Sequence, residues 1–133
     1  MTPLVVDASA LVEYLFRTPR GITLAPLIET RGVDLHVPAL ADIEFASAVV
    51  RLFVRRIVST DRATEALGDL ADLPLTRHGH LALLPRILSL RGNFSVYDGV
   101  YVALAESLAA GLITADEKLV TAVGAHTTVR IAR

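Results

Sequence analysis

No cysteine occurs in the chain, which excludes both a disulfide framework and a thiolate zinc site. Tryptophan is absent too, and aromatic residues make up only 5% of the total, too few for an extended base-stacking platform. Neither sign of charge is in excess. Thirteen basic residues meet 14 acidic ones for a net charge of −1, so no global field draws the protein onto nucleic acid, and any such contact has to come from a local basic patch. The N-terminus lacks a basic segment, and Asp7 and Glu13 interrupt what would have been a signal-peptide core. The longest apolar stretch, VYVALAESLAAGLI, carries Glu106 in its middle and falls short of a membrane span. A cytoplasmic protein without membrane contact is therefore expected. There is no G-x-x-x-x-G-K phosphate loop, which argues against an NTPase, and no internal repeat, low-complexity tract or linker.

What is present suits one globular domain spanning residues 1–133, with 53% hydrophobic and 20% charged residues. That apolar share hints at more buried surface than a small monomer supplies, such as a subunit or partner interface. PLVV reads as a continuously apolar strand of the kind buried on both faces of a parallel sheet. ASALVEYLF has helical spacing, with Ala8, Leu11 and Leu15 on one side. TLAPLIETRG predicts a second helix closed by Gly32.

DLHVP is a strand ended by Pro38. Residues 39 to 58 predict the longest helix, with Ile43, Ala46, Val50, Phe53 and Ile57 facing inward. The next helix, TDRATEALGDLADL, is expected to be capped by Thr60 or Asp61. LPLTR reads as a third strand, and HLALLPRILSLRG as a helix kinked near Pro85 and closed by Gly92. SVYDGVYVALAESLAAG predicts a helix ending at Gly111, and the remainder reads strand, helix, short strand. Strands alternating with helices predict an α/β class: a three-layer α/β/α sandwich around a central parallel sheet.

In such sheets the ligand crevice lies outside the carboxyl ends of the strands. Asp7 ends the first strand, Asp116 follows the strand ending near Ile113, Asp98 lies in the first turn of its helix, and Glu44 lies early in the helix after DLHVP. Each acid also has a local explanation. Asp7 can cap the first helix, as can Ser9. Ser95-Val96-Tyr97-Asp98 and Thr114-Ala115-Asp116-Glu117 both fit a capping box. Glu44 shares a stripe with Ala48, Arg51 and Arg55, as on a solvated face. Their convergence is harder to explain locally. Four acids at one edge repel one another unless a divalent cation neutralises them, and oxygen-only ligands select Mg²⁺ or Mn²⁺. Two such ions can activate water and steady a leaving oxygen in phosphodiester cleavage.

With these residues in place, the chain resembles the PIN-domain family. VVDASAL, the acid in VPALADIEFASAV, YDGVYVALAE and LITADEKL occur in that family's order and spacing, and they are most similar to the VapC toxins, the ribonuclease half of bacterial toxin–antitoxin pairs. The resemblance implies a PIN-like fold in which Asp7, Glu44, Asp98 and Asp116 form the catalytic Mg²⁺ (or Mn²⁺) site. It implies that Ser9 and Thr114 orient the acids, with Glu117 where many relatives carry another acid. Asp42, two residues before Glu44, is the competing candidate; Glu44 is chosen because the motif's acid directly precedes the apolar ASAV segment. Gly99 follows Asp98 where alanine is commoner. The family further implies endonucleolytic cleavage of RNA by metal-activated water, a homodimer, and a cognate VapB-like antitoxin that blocks the site.

Arg51 and Arg55 follow Glu44 along its stripe and are candidates for RNA or antitoxin contact, or a plain solvated face. Arg77, His78 and His80 form a second basic spot; His78-Gly79-His80 is too short for a zinc site, and its histidines read as solvated. Two rival functions come from other classes. One is a metal-dependent phosphatase with Asp7 as nucleophile, which wants an acid where Ser9 stands. The other is a catalytically silent PIN-like module that binds RNA or protein, which is expected to have lost one of the acids.

Overall fold

The apolar run at the start of the chain forms strand β1 (Thr2–Val6) in the computed structural model, which describes residues 2–133. Val5 and Val6 are completely buried because β1 is an interior strand. It pairs in parallel with β2 (Val33–Pro38) on one side and β4 (Gly111–Ile113) on the other, and β3 (Leu75–His78) continues the sheet beyond β2. The order is β3-β2-β1-β4. The expected α/β class with a central parallel sheet is the observed one.

The chain lays down β1, β2 and β3 in one direction, then returns to place β4 on the far side of β1. Right-handed crossovers therefore put α1 (Ala8–Leu15), α2 (Pro19–Glu29), α3 (Leu40–Val54) and α4 (Thr60–Asp72) on one face, and α5 (Leu84–Ser89) and α6 (Val96–Leu108) on the other. Accordingly α1 packs on α2, α3 and α4, whereas α6 lies across β1, β2 and β4. Helix α7 (Glu117–His126) follows β4. The strand order reverses between β1 and β4, so the crevice at their carboxyl ends is the place where such a sheet binds ligands. Among the described residues no helix is long and apolar enough to cross a membrane.

Several boundaries differ from the sequence expectation. Helix α2 starts at Pro19 because Thr18 accepts the Gly21 N–H as its cap and proline suits the first helical position. Gly32 does not close it; the helix ends at Glu29, and Gly32 takes a φ of 83° in the turn before β2. Helix α3 stops at Val54, short of residue 58, since Arg56 adopts a left-handed φ of 58° and turns the chain toward Ser59. Ser59, not Thr60 or Asp61, caps α4. Helix α6 ends at Leu108 through a left-handed Ala109, and Gly111 instead opens β4, where a Cβ would sit 3.1 Å from the Leu4 side chain. Gly92 lies beyond the end of α5, which closes at Leu90. The last short strand is reduced to one bridge between Leu112 and Ile131.

The inward face of α3 is the largest correction. Ala41, Phe45 and Val49 face the core, while Ile43 (69% exposed), Val50 (57%), Phe53 (46%) and Ile57 (64%) face out. The helix is apolar on two sides, so spacing alone cannot say which side meets the rest of the fold. The inward face carries Phe45, among the largest fully buried side chains of the fold.

Candidate active site

Asp7 stands where β1 ends, 5% exposed, and serves as the N-cap of α1. Its Oδ1 accepts the Ala10 N–H at 3.0 Å and the Ser9 hydroxyl at 2.7 Å; its Oδ2 accepts the Thr114 hydroxyl at 2.6 Å. Burial pushes its pKa from 3.8 up to about 6, against the pull of those hydrogen bonds, and the charge of Asp116 adds to the rise. The same two hydroxyls reach onward. Ser9 Oγ accepts the Ala115 N–H at 3.1 Å, and Thr114 Oγ1 accepts the Asp116 N–H at 3.0 Å. They stitch the end of β1 to the end of β4 through Asp7.

Asp116 is the N-cap of α7, and its Oδ1 accepts the amides of Lys118 (3.0 Å) and Leu119 (3.3 Å). The cap occupies one carboxylate oxygen and leaves Oδ2 free of hydrogen bonds. Asp98 lies in the first turn of α6, where its N–H is donated to the capping Ser95 hydroxyl at 3.1 Å. The reciprocal bond of a closed capping box is not formed. Burial and then the nearby Asp116 charge raise the Asp98 pKa, with Ser95 opposing them. The capping explanations for Asp7 and Asp116 are thus correct, and neither exhausts what the carboxylate offers.

Glu44 is half-buried on α3, and its Oε1 accepts the hydroxyl of Tyr101 at 2.6 Å. Tyr101 lies on α6 one turn beyond Asp98 and senses the charge of Asp7 as well as that of Glu44. It is the contact the sequence reading missed. The available signal was a phenol in the otherwise apolar VYVALA run, since a buried tyrosine hydroxyl requires a partner. Glu44 also lines a cleft of about 250 Å³ with Ala8, Ser9, Val12, Ser47, Ala48 and Arg51.

Other candidates are committed elsewhere. Asp42 makes a two-pronged ion pair with Arg77 on β3, at 2.7 and 3.0 Å. Glu117 is exposed and paired with Arg20. Arg51 borders the cleft beside Glu44, while Arg55 is exposed at the end of α3. The histidines expected to be solvated are instead bonded. His78 Nε2 meets His36 Nδ1 at 2.8 Å, His36 Nε2 meets Asp34 at 2.7 Å, and His80 Nε2 accepts the Leu40 N–H at 3.0 Å, standing in for the cap α3 lacks.

The donor chemistry of the crevice fits a hard divalent cation: carboxylates and hydroxyls only, held against their own repulsion. Among the described residues no cation lies within ion-pair distance of Asp7, Glu44, Asp98 or Asp116. Nor do three or more acids or histidines close into a ready-made cage. A hard ion such as Mg²⁺ keeps several waters and takes only one or two carboxylates directly.

Comparisons with known proteins agree with this architecture. The family model described as PIN domain matches residues 4–124. The chain is 36% identical over 121 residues to Ribonuclease VapC12 of Mycobacterium tuberculosis, covering 91% of this chain and 92% of that protein. It is 39% identical over 116 residues to Ribonuclease VapC9 of the same organism, covering 87% of each. In fold it resembles the crystal structure of VapBC2 from Rickettsia felis bound to a DNA fragment from their promoter, with a TM-score of 0.70 over 98% of both chains at 12% identity.

Proposed function

We infer, from the premise that this chain belongs to the PIN-domain family and stands among its VapC ribonucleases, that it is a metal-dependent endoribonuclease and the toxin of a toxin–antitoxin pair. The observation that carries this reading is the uncompensated charge at the β1–β4 crevice: a buried Asp7 with its pKa raised to about 6, and three further acids that have no cationic partner among the described residues.

Asp7, Glu44, Asp98 and Asp116 would hold Mg²⁺ or Mn²⁺, which supplies an activated water and offsets charge developing at phosphorus. The chain's own part is preorganisation. Asp7 is fixed by three hydrogen bonds, and Ser9 and Thr114 set its two oxygens while anchoring the backbone that carries Asp116. Ser9 is not a nucleophile in waiting, because its hydroxyl is already shared between Asp7 and the Ala115 amide. The same commitment argues against a phosphatase, which needs an acid at that position. Arg51, beside Glu44, and Arg55 further along α3 suit an RNA phosphate or an acidic antitoxin segment entering the crevice.

The same reading extends to partners. A VapB-like antitoxin segment covers the crevice and blocks it. The outward stripe of α3, with Ile43, Val50, Phe53 and Val54 exposed, suits a second copy of this chain in a homodimer. The setting is the cytoplasm, where the RNA is.

The test is cleavage of RNA by the purified protein. Cutting is expected with Mg²⁺ or Mn²⁺, and none in excess EDTA or with Asp98→Asn, whose folding is checked by circular dichroism. Undiminished cutting in EDTA would overturn the reading. Growth arrest on expression, relieved by co-expressing the neighbouring reading frame, tests the toxin assignment separately.

A further inference from the structure

We propose that Tyr101 is a positioning residue of the acid centre: its hydroxyl sets the Glu44 carboxylate against Asp7 and Asp98, so that cation affinity depends on a phenol that binds no cation itself. The inference rests on the metal-dependent reading above. Tyr101 is 3% exposed on α6, within a run of the helix that is buried throughout. Its hydroxyl donates to Glu44 Oε1 at 2.6 Å, in the range of a strong bond to an ionised acceptor. The same hydroxyl lies close enough to the β1–α1 junction to be affected by the Asp7 charge and the Ala8 amide. One phenol on α6, the helix that carries Asp98, thus holds the Glu44 of α3 beside the junction that carries Asp7.

Glu44 needs such a tether more than the other acids do. Asp7 and Asp116 are short side chains pinned by helix-capping bonds. Glu44 has a longer, freer side chain, no capping role, and an open cleft of about 250 Å³ beside it that also holds Arg51. Without the Tyr101 bond, the carboxylate is free to swing toward that guanidinium and away from the other acids.

The experiment is Mn²⁺ affinity of the metal-free, antitoxin-free protein, measured by electron paramagnetic resonance and calorimetry, for wild type, Tyr101→Phe, Glu44→Gln and the double variant. Phenylalanine keeps the packed ring, so the fold is expected to survive. Loss of a partner that orients a metal ligand typically costs 10–100-fold in metal affinity or activity, and Tyr101→Phe is expected to weaken Mn²⁺ binding by at least about tenfold. The double variant should bind no more weakly than Glu44→Gln alone, and excess Mn²⁺ should restore RNA cleavage by Tyr101→Phe. Wild-type affinity in Tyr101→Phe overturns the proposal while leaving the nuclease reading intact, provided Glu44→Gln weakens binding. So do fully additive losses in the double variant, since they mean that Tyr101 does not act through Glu44. If the wild-type protein takes up no Mn²⁺, both readings fall together.

Discussion

The two halves of this sheet treat their charged groups in opposite ways. On the β2–β3 side the acids at the sheet have a counter-charge or proton-sharing partner: Asp34 meets His36, which meets His78, and Asp42 is clasped by Arg77. Elsewhere on the surface Glu106 pairs with Arg86, Glu117 with Arg20, and Glu65 and Asp69 with Arg62. On the β1–β4 side, Asp7 is met only by two hydroxyls and an amide, and Asp98 and Asp116 add to one another's repulsion. Both halves are built from the same parallel ladder, so topology does not force the difference. Folding stability favours the first arrangement; the second raises the free energy of the folded state, a cost that the proposed cation would offset.

The sharpest way to break that contrast is to remove the charge that costs most. Asp7→Asn is expected to abolish RNA cleavage, by more than about 100-fold, since even partners outside the metal's ligands matter by 10–100-fold. In EDTA at pH 7 the same variant should be more stable than wild type, by up to roughly 3 kcal/mol, because an acid held about two pH units above its ordinary value disfavours the folded state by that order. Urea denaturation of the metal-free proteins checks this. A variant that loses activity and also loses stability would show that the carboxylate's bonds from Ser9 and Thr114 outweigh the cost of burying its charge, since asparagine caps a helix as well as aspartate.

The same shift predicts a pH dependence. The folded-state pKa of Asp7, about 6, lies above the ordinary 3.8, so between these values the folded protein binds more protons than the unfolded one. Its contribution to stability is therefore greatest below pH 4, declines as pH rises, and is lost above about pH 6; Asp98 acts in the same direction. His78, whose pKa is lowered chiefly by burial, works oppositely as the histidines titrate. The difference between wild type and Asp7→Asn across pH 4–7 isolates the Asp7 term, and saturating Mn²⁺ should erase the decline.

Much of this was legible in the sequence, for reasons that differ by element. The core of β1 and all of β4 are buried, so both read as apolar runs whose ends stand out wherever they meet a polar residue: Asp7 in one case, Thr114 in the other. Asp98 and Asp116 were placed at helix starts by capping patterns that act within four residues. What depends on distant partners was hidden. The inward side of α3 could not be chosen because the helix is apolar twice over. Asp42 is paired by Arg77, which lies 35 residues on, and Glu44 is bonded by Tyr101, 57 residues on. His80 capping α3 is of the same kind, a contact created by β3 lying beside β2.

Smaller effects test whether pairing truly separates the structural acids from the functional ones. Arg77→Gln unpairs Asp42 in a partly exposed site, and is expected to cost about 0.5–1 kcal/mol in urea denaturation without changing Mn²⁺ affinity. The smallest effect is expected at Glu117, the acid nearest the centre in sequence, directly after Asp116. Its carboxylate is exposed and engaged by Arg20, so it has a counter-charge already and no deficit for a cation to relieve. Glu117→Gln should leave Mn²⁺ affinity and RNA cleavage unchanged, and calorimetry with the metal-free protein measures this directly. A loss of affinity comparable to that of Glu44→Gln would place Glu117 among the metal's own partners. It would also show that an ion pair with an arginine does not mark an acid as structural, because Arg20 would then be a counter-ion that the metal displaces.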